Sequence, residues 1–166
     1  VAQKATVYSG QGFSLRGEKD RFVLPAKLRN PLAEASGERT LCVSKHDRWP
    51  CLTGFGKDRV DTFEDLLDEL EDKAIARGDM AFDRELKSAA LYTFTPTNFD
   101  ASGRFNLSST LFELGDIGDA LYFHGIGQII TIWNPEVLLA QGPEFAQMQA
   151  YCRQEMAAAN AKGKGK

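Results

Sequence analysis

The sequence predicts a β-dominated α+β fold made of two copies of one small unit, with helices following each copy. Three observations carry this. When Arg21 is set on Arg104, "DRFVLPAKLR" (20–29) lies over "GRFNLSSTLF" (103–112), keeping Arg-Phe-x-Leu and a further leucine, Leu28 over Leu111, in register. "RTLCVS" (39–44) and "DALYFH" (119–124) are both short apolar runs, each leading through a turn into a second, "CLTGF" (51–55) and "QIITIW" (128–133). At 166 residues and 43% hydrophobic, the chain suffices for one ordinary domain or for two small halves sharing a core.

Each copy opens on a turn bearing an arginine. Beyond it the apolar positions alternate, Phe22 with Leu24 and Phe105 with Leu107, which is the period of a half-buried strand. Pro25 and Ser108 then start the same short helix by different chemistry, since proline suits the first helical position and serine an N-cap. "SGE" (36–38) turns the first copy and Gly115 ends the helix of the second. After the strand pairs, Asp58 and Asn134-Pro135 offer helix starts into "VDTFEDLLDEL" and "EVLLA". Between the copies, Phe63, Leu66, Leu67 and Leu70 trace a helical stripe with acids on the other faces. Gly78-Asp79 breaks it, and the spacing predicts a second helix from about Met80 to Leu91 with Phe82, Leu86, Ala90 and Leu91 on its apolar face. The expected divisions are 8–59 for the first repeat, 60–94 for connecting helices, 95–140 for the second repeat, and 141–166 for a C-terminal helix with a flexible Lys/Gly tail.

The formal net charge of −3 conceals an uneven distribution. From Gly10 to Asn30 five bases (Arg16, Lys19, Arg21, Lys27, Arg29) oppose two acids, a net of +3. From Val60 to Lys87 ten acids oppose four bases, a net of −6. An acidic total can therefore carry a basic face, and a polyanion responds to the local field rather than to the sum. No apolar run approaches the ~20 residues of a membrane span, and "VAQKATVYSG" lacks the apolar stretch of a signal peptide, so a cytoplasmic protein is expected. Cys42, Cys51 and Cys152 form an odd set with no C-x-x-C spacing, and we expect free, reduced thiols.

With the duplication in view, the chain resembles the MraZ family of bacterial transcriptional regulators, double-copy members of the AbrB-like swapped-hairpin superfamily. The family's mark is D-x-x-x-R at the head of each copy, then an apolar strand and often proline. Asp100-Ala-Ser-Gly-Arg104 matches it in full. "YSGQGFSLRGEKDRFVLP" lies without a gap on the family's N-terminal segment, and the strand pair ending in Trp133 before Asn-Pro-Glu looks like its second copy. The likeness covers roughly residues 8 to 140. It implies a shared double-split β-barrel of two swapped-hairpin β-α-β units. It also implies a homo-oligomeric ring that binds repeated short boxes in double-stranded promoter DNA upstream of its own division and cell-wall operon.

The first copy departs from the mark. Gly17 stands where the acid belongs, and Asp20 stands where the second copy has Gly103. Aspartate tolerates the left-handed backbone better than most residues, which keeps the turn open to Asp20. Glu18 offers a substitute carboxylate one position along. In the second copy Asp100 can accept N–H groups of its own turn and reach Arg104, restricting the arginine's rotamers. A pre-aimed guanidinium suits a phosphate or the O6/N7 edge of guanine.

We therefore expect Arg16, Lys19, Arg21, Lys27 and Arg104 to contact DNA, with Gly17, Asp20, Asp100 and Gly103 shaping the turns. The first turn, richer in bases, should supply most of the electrostatic attraction.

No metal, cofactor or catalytic residue is expected. His46 and His124 lack ligand partners at metal spacing and read as surface or satisfied strand-end histidines. "HGIGQ" reads as a hairpin turn rather than a dinucleotide loop, and no G-x-S-x-G or Walker sequence occurs. Cys42 and Cys51 could approach across paired strands, though nothing positions a nucleophile. The leading expectation is thus a DNA-binding regulator, nucleoid-associated and repressing its own promoter. The alternatives are an AbrB-like regulator of another operon and an oligomeric scaffold of the same fold that has lost DNA binding, for which Gly17 is the best sign.

Overall fold

In the computed structural model, which describes residues 5–164, the short apolar runs of both halves become strands of one sheet. The chain runs β1 (Gln11–Leu15), β2 (Arg21–Val23), α1 (Ala26–Ser36), β3 (Thr40–Lys45) and β4 (Leu52–Phe55). The helices α2 (Lys57–Val60), α3 (Phe63–Ala76) and α4 (Arg84–Tyr92) follow. Then come β5 (Thr95–Asn98), β6 (Arg104–Asn106), α5 (Ser109–Leu114), β7 (Ala120–Gly125), β8 (Ile130–Trp133), α6 (Pro135–Leu139) and α7 (Ala146–Lys164). Six strands form an antiparallel sheet in the order β1-β7-β8-β4-β3-β5, while β2 and β6 pair only with each other. The edge strand of each half lies on the other half, β1 on β7 and β5 on β3.

The pairing among the described residues does not close into the barrel that the resemblance implies. The two arginine-bearing turns are the reason. They lift the chain out of the sheet after β1 and after β5, so that β2 and β6 meet above it as a separate two-stranded ribbon.

Strand alternation divides the core into layers. Leu41, Val43, Leu52, Leu121, Phe123, Ile130 and Ile132 share one buried cluster with Phe22 and Phe105 of the ribbon and with Leu28 of α1 and Leu111 of α5. On the opposite face Cys42 and Phe55 pack with Phe63 of α3, and Tyr122 and Trp133 pack with Leu138 of α6 and Cys152 of α7. The sheet therefore stands between the ribbon and the acidic α3–α4 pair.

Two local expectations are corrected by the structure. α4 begins at Arg84, because Asp83 caps it by accepting the Leu86 N–H at 3.1 Å. In that frame Leu86 faces solvent, 70% exposed, and Ala90 is exposed as well. Cys42 and Cys51 do not meet across strands, since Cys42 stands opposite Phe55 and the two thiols fall in separate clusters. α7 continues to Lys164, so only Gly165 and Lys166 of the Lys/Gly tail lie outside the described residues.

Candidate nucleic-acid interface

The inward face of the ribbon belongs to the core. Phe22 sits opposite Phe105, both buried, with ring centroids 6.2 Å apart. Period-two alternation then turns their neighbours outward. Arg21 stands opposite Asn106 and Val23 opposite Arg104, so the two arginines are diagonal neighbours on the outer face. Diagonal positions lie about 7–8 Å apart. Both arginines line one open depression of about 830 Å³, floored by β5, Phe99 and the start of the second short helix.

The two turns close through the same backbone bond. Gly17 N donates to Arg21 O at 2.7 Å, and Asp100 N donates to Arg104 O at 3.1 Å. Aligned positions also share a left-handed backbone, Asp20 at φ 58° and Gly103 at φ 87°. Lys19 joins Asp20 in that region at φ 57°, at the tip of the first turn. Gly17 itself has φ −98°, extended backbone open to any residue.

The side-chain bonding of the turns differs. Asp100 Oδ1 accepts the N–H groups of Ser102 at 2.9 Å and Arg104 at 3.0 Å, while Oδ2 accepts Arg104 Nε–H at 2.7 Å. The Arg104 backbone N–H, aided by its guanidinium and by the Ser102 N–H, holds the Asp100 carboxyl below the usual range. In the first turn the ion pair runs in the reverse order. Asp20 Oδ1 accepts from Arg16 Nε at 2.9 Å, and the Arg16 guanidinium lies 4.7 Å over the Phe112 ring. Glu18 makes no side-chain hydrogen bond or ion pair among the described residues. Among those residues Lys19, Arg21 and Lys27 likewise have no carboxylate at ion-pair distance. Lys19 and Lys27 are exposed and Arg21 is half-buried.

Two residues outside the expected set touch the turns. Arg29 Nη1 donates to Ser102 O at 2.8 Å and to Leu24 O at 2.9 Å. Asn106 Nδ2 donates to Lys19 O at 2.7 Å and to Asp20 O at 3.3 Å. Arg29 reads in the sequence as one more base of a cationic helix, and Asn106 as a polar strand position. Neither carries a local signal, because each has a partner more than seventy residues away.

The other reactive side chains are buried, apart from a half-buried His124. His46 is buried against Trp49, and its Nδ1 accepts the N–H groups of Arg48 at 3.1 Å and Trp49 at 3.0 Å. That acceptor role and the lowering of its pKa by burial keep the imidazole neutral, so the approach of Asp47 to the same nitrogen is no ion pair. His124 Nδ1 meets the Tyr122 hydroxyl at 2.7 Å. All three thiols are buried and free, and burial raises Cys42 and Cys152 to about 11 and Cys51 to about 12. Among the described residues no group of three or more His, Cys, Asp or Glu side chains is placed to hold a metal ion, and no helix is long and apolar enough to cross a membrane.

No protein-family profile matches the chain. Several curated proteins do, and all those named here are transcriptional regulators. The Transcriptional regulator MraZ of Rhodospirillum rubrum is 30% identical over 123 residues, 74% of this chain and 76% of that protein. The Xanthobacter autotrophicus relative of the same name is 31% identical over 137 residues, 82% of each chain. That of Gluconacetobacter diazotrophicus is 29% identical over 133 residues, 78% of this chain and 80% of the relative. The fold and the cationic ribbon thus belong to a protein of the transcription-regulator class. Within that class, the chain belongs to the MraZ family.

Proposed function

We propose that this protein binds double-stranded promoter DNA through the β2–β6 ribbon and its two turns, and that it does so as a homo-oligomeric ring. The observation that carries the reading is the shared outward face of Arg21 and Arg104, both bordering one open depression. A two-stranded ribbon fits the major groove, which is about 12 Å wide. Arg21 and Arg104 supply guanidinium forks for phosphate or guanine, and Lys19, Arg16 and Lys27 add phosphate attraction around the first turn. The acidic helices stand on the far side of the sheet, where their field opposes DNA least.

The halves 8–59 and 95–140 are read as a duplication. Exchanging β1 with β5, β7 with β3 and β8 with β4 returns the same strand order, and Phe22 faces Phe105 as Thr53 faces Thr131. One such unit makes few contacts and binds weakly. Linked copies on repeated short boxes gain avidity through effective concentration. By family resemblance, the target is the promoter of the chain's own division and cell-wall operon, the sign is repression, and the place is the cytoplasm at the nucleoid.

The test is a mobility shift of the DNA upstream of the chain's own gene against scrambled DNA of equal length, with light scattering to size the complex. Salt-dependent retardation of the upstream fragment alone supports the reading. Retardation of neither fragment favours the scaffold alternative, which rests on the missing acid at Gly17, and equal affinity for both contradicts sequence-specific binding. A monomer with full operator affinity removes the ring.

A further inference from the structure

The helices α1 and α5 occupy equivalent places in the two halves, and the alignment of Arg21 with Arg104 puts Arg29 over Phe112. Each of these two residues supports the turn of the other half. Arg29, in the first half, bonds Ser102 O of the second turn. Phe112, in the second half, underlies Arg16 of the first turn. Asn106, also in the second half, bonds two carbonyls of the first turn, Lys19 O and Asp20 O. The seam is tight: Leu24 N donates to Gly103 O at 2.8 Å, and a Cβ on Gly103 would stand 2.5 Å from Arg29 Nη1.

We propose that Arg29 and Asn106 are positioning residues that hold the two turns crosswise, each half fixing the arginine-bearing turn of the other. The first turn has no acid at Gly17, and Asn106 holds it by the opposite polarity, donating to its carbonyls where Asp100 accepts the N–H groups of the second turn. Asn106 anchors the left-handed tip at Lys19 and Asp20 from outside, whereas Asp100 anchors the second turn from within. Arg29 ties that second turn to the carbonyl of Leu24, at the end of the first half's own strand. The consequence is that Arg21 and Arg104 are set as one body rather than as two independent contacts. This consequence for DNA rests on the function proposed above, but the crosswise hold does not.

The test uses the full chain and two near-isosteric variants, Asn106→Asp and Arg29→Met. Asn106→Asp replaces the donor with an acceptor facing two carbonyls. Arg29→Met keeps the aliphatic stem and removes every donor. Amide hydrogen exchange is read at Gly17 and Arg21 for the first turn and at Asp100 and Gly103 for the second. Losing one or two such bonds corresponds to about tenfold faster local opening. Asn106→Asp is expected to speed the first pair about that much while the second stays within about twofold, and Arg29→Met to do the reverse. For DNA, Asn106→Ala introduces no charge and should lower the salt slope of operator binding by about 0.9, the same change expected of Arg21→Ala. A loss of folded fraction alone would leave that slope unchanged. Faster exchange in the variant's own half, or equally in both turns, overturns the crosswise hold. If the unaltered protein fails to bind the upstream fragment, the DNA reading falls by itself and the exchange pattern still decides the hold.

Discussion

Arg104 is chelated by the acid that precedes it by four residues, with its Nε 2.7 Å from Asp100 Oδ2 while its own N–H reaches Oδ1 of the same carboxylate at 3.0 Å. One side chain thus fixes both the bend and the arginine that leaves it. The guanidinium keeps its two Nη groups for a partner, and few rotamers remain to be lost on binding. Arg21, at the equivalent place, has Gly17 in front of it and no such tether.

The Asp100 carboxyl titrates below the ordinary carboxylate range. Because its folded value is depressed, its stabilisation of the turn is fully present above the ordinary range and is lost as pH falls through the lowered value. The turn should therefore stay locked at neutral pH and loosen only once the pH has fallen below the ordinary carboxylate range. Carboxyl NMR titration of Asp100, followed together with the Arg104 Nε–H signal, reads this. An ordinary midpoint, or an Arg104 signal that ignores the titration, contradicts it.

Gly17→Asp restores the missing acid at a position whose backbone any residue adopts. Nothing crowds the new Cβ more closely than Arg21 O at 3.4 Å. The new carboxylate should tether Arg21 as Asp100 tethers Arg104. Attraction to scrambled DNA should weaken, since one negative charge joins the face, while discrimination in favour of the upstream fragment rises several-fold, roughly threefold or more. Competition titrations with both fragments measure the ratio. A ratio that falls would show that the acid is no positioning group.

Gly103→Ala strikes the second turn at its tightest point. The position has φ 87°, and a Cβ would stand 2.6 Å from Leu24 O and 2.5 Å from Arg29 Nη1. The conformation alone costs about 1–2 kcal/mol for an L side chain, and displacement of Arg29 adds to it. Chemical denaturation should show the loss, and operator affinity should fall further than stability explains. Asp20→Gly, at the aligned left-handed place, should by contrast be tolerated in stability while freeing Arg16.

Phe22→Ala opens the centre of the ribbon. Phe22 is fully buried and packs on Phe105 and Phe112 at centroid distances of 6.2 and 6.0 Å. A truncation of this kind costs about 3–5 kcal/mol. Thermal unfolding should show a single lowered transition, since both halves contribute to the same core. Two separate transitions would mean that the halves fold independently.

Much of the fold is legible in the residues. The alternation of Phe22 with Leu24 and of Phe105 with Leu107 marks the inward face, and all four are buried. The strands β1 and β5 carry too weak a pattern, because "QGFSL" and "TPTN" are short and interrupted by glycine or proline. Proline at Pro96 is acceptable only because β5 is an edge strand, a property that depends on the whole sheet. Leu86 looks like a core position until Asp83 sets the helix start. Arg29 and Asn106 are hidden for a different reason. Their partners are brought near by pairing between halves, and no sequence window contains both members of such a contact.

The most direct measurement is the salt dependence of binding to the upstream fragment for the unaltered protein, Arg21→Ala, Arg104→Ala and the double variant, each checked for an unchanged fold by circular dichroism. We expect each single variant to bind more weakly, the slope to fall by about 0.9 for each phosphate no longer neutralised, and specific retardation to vanish in the double variant. Retardation that survives in a folded double variant with an unaltered slope would contradict the account.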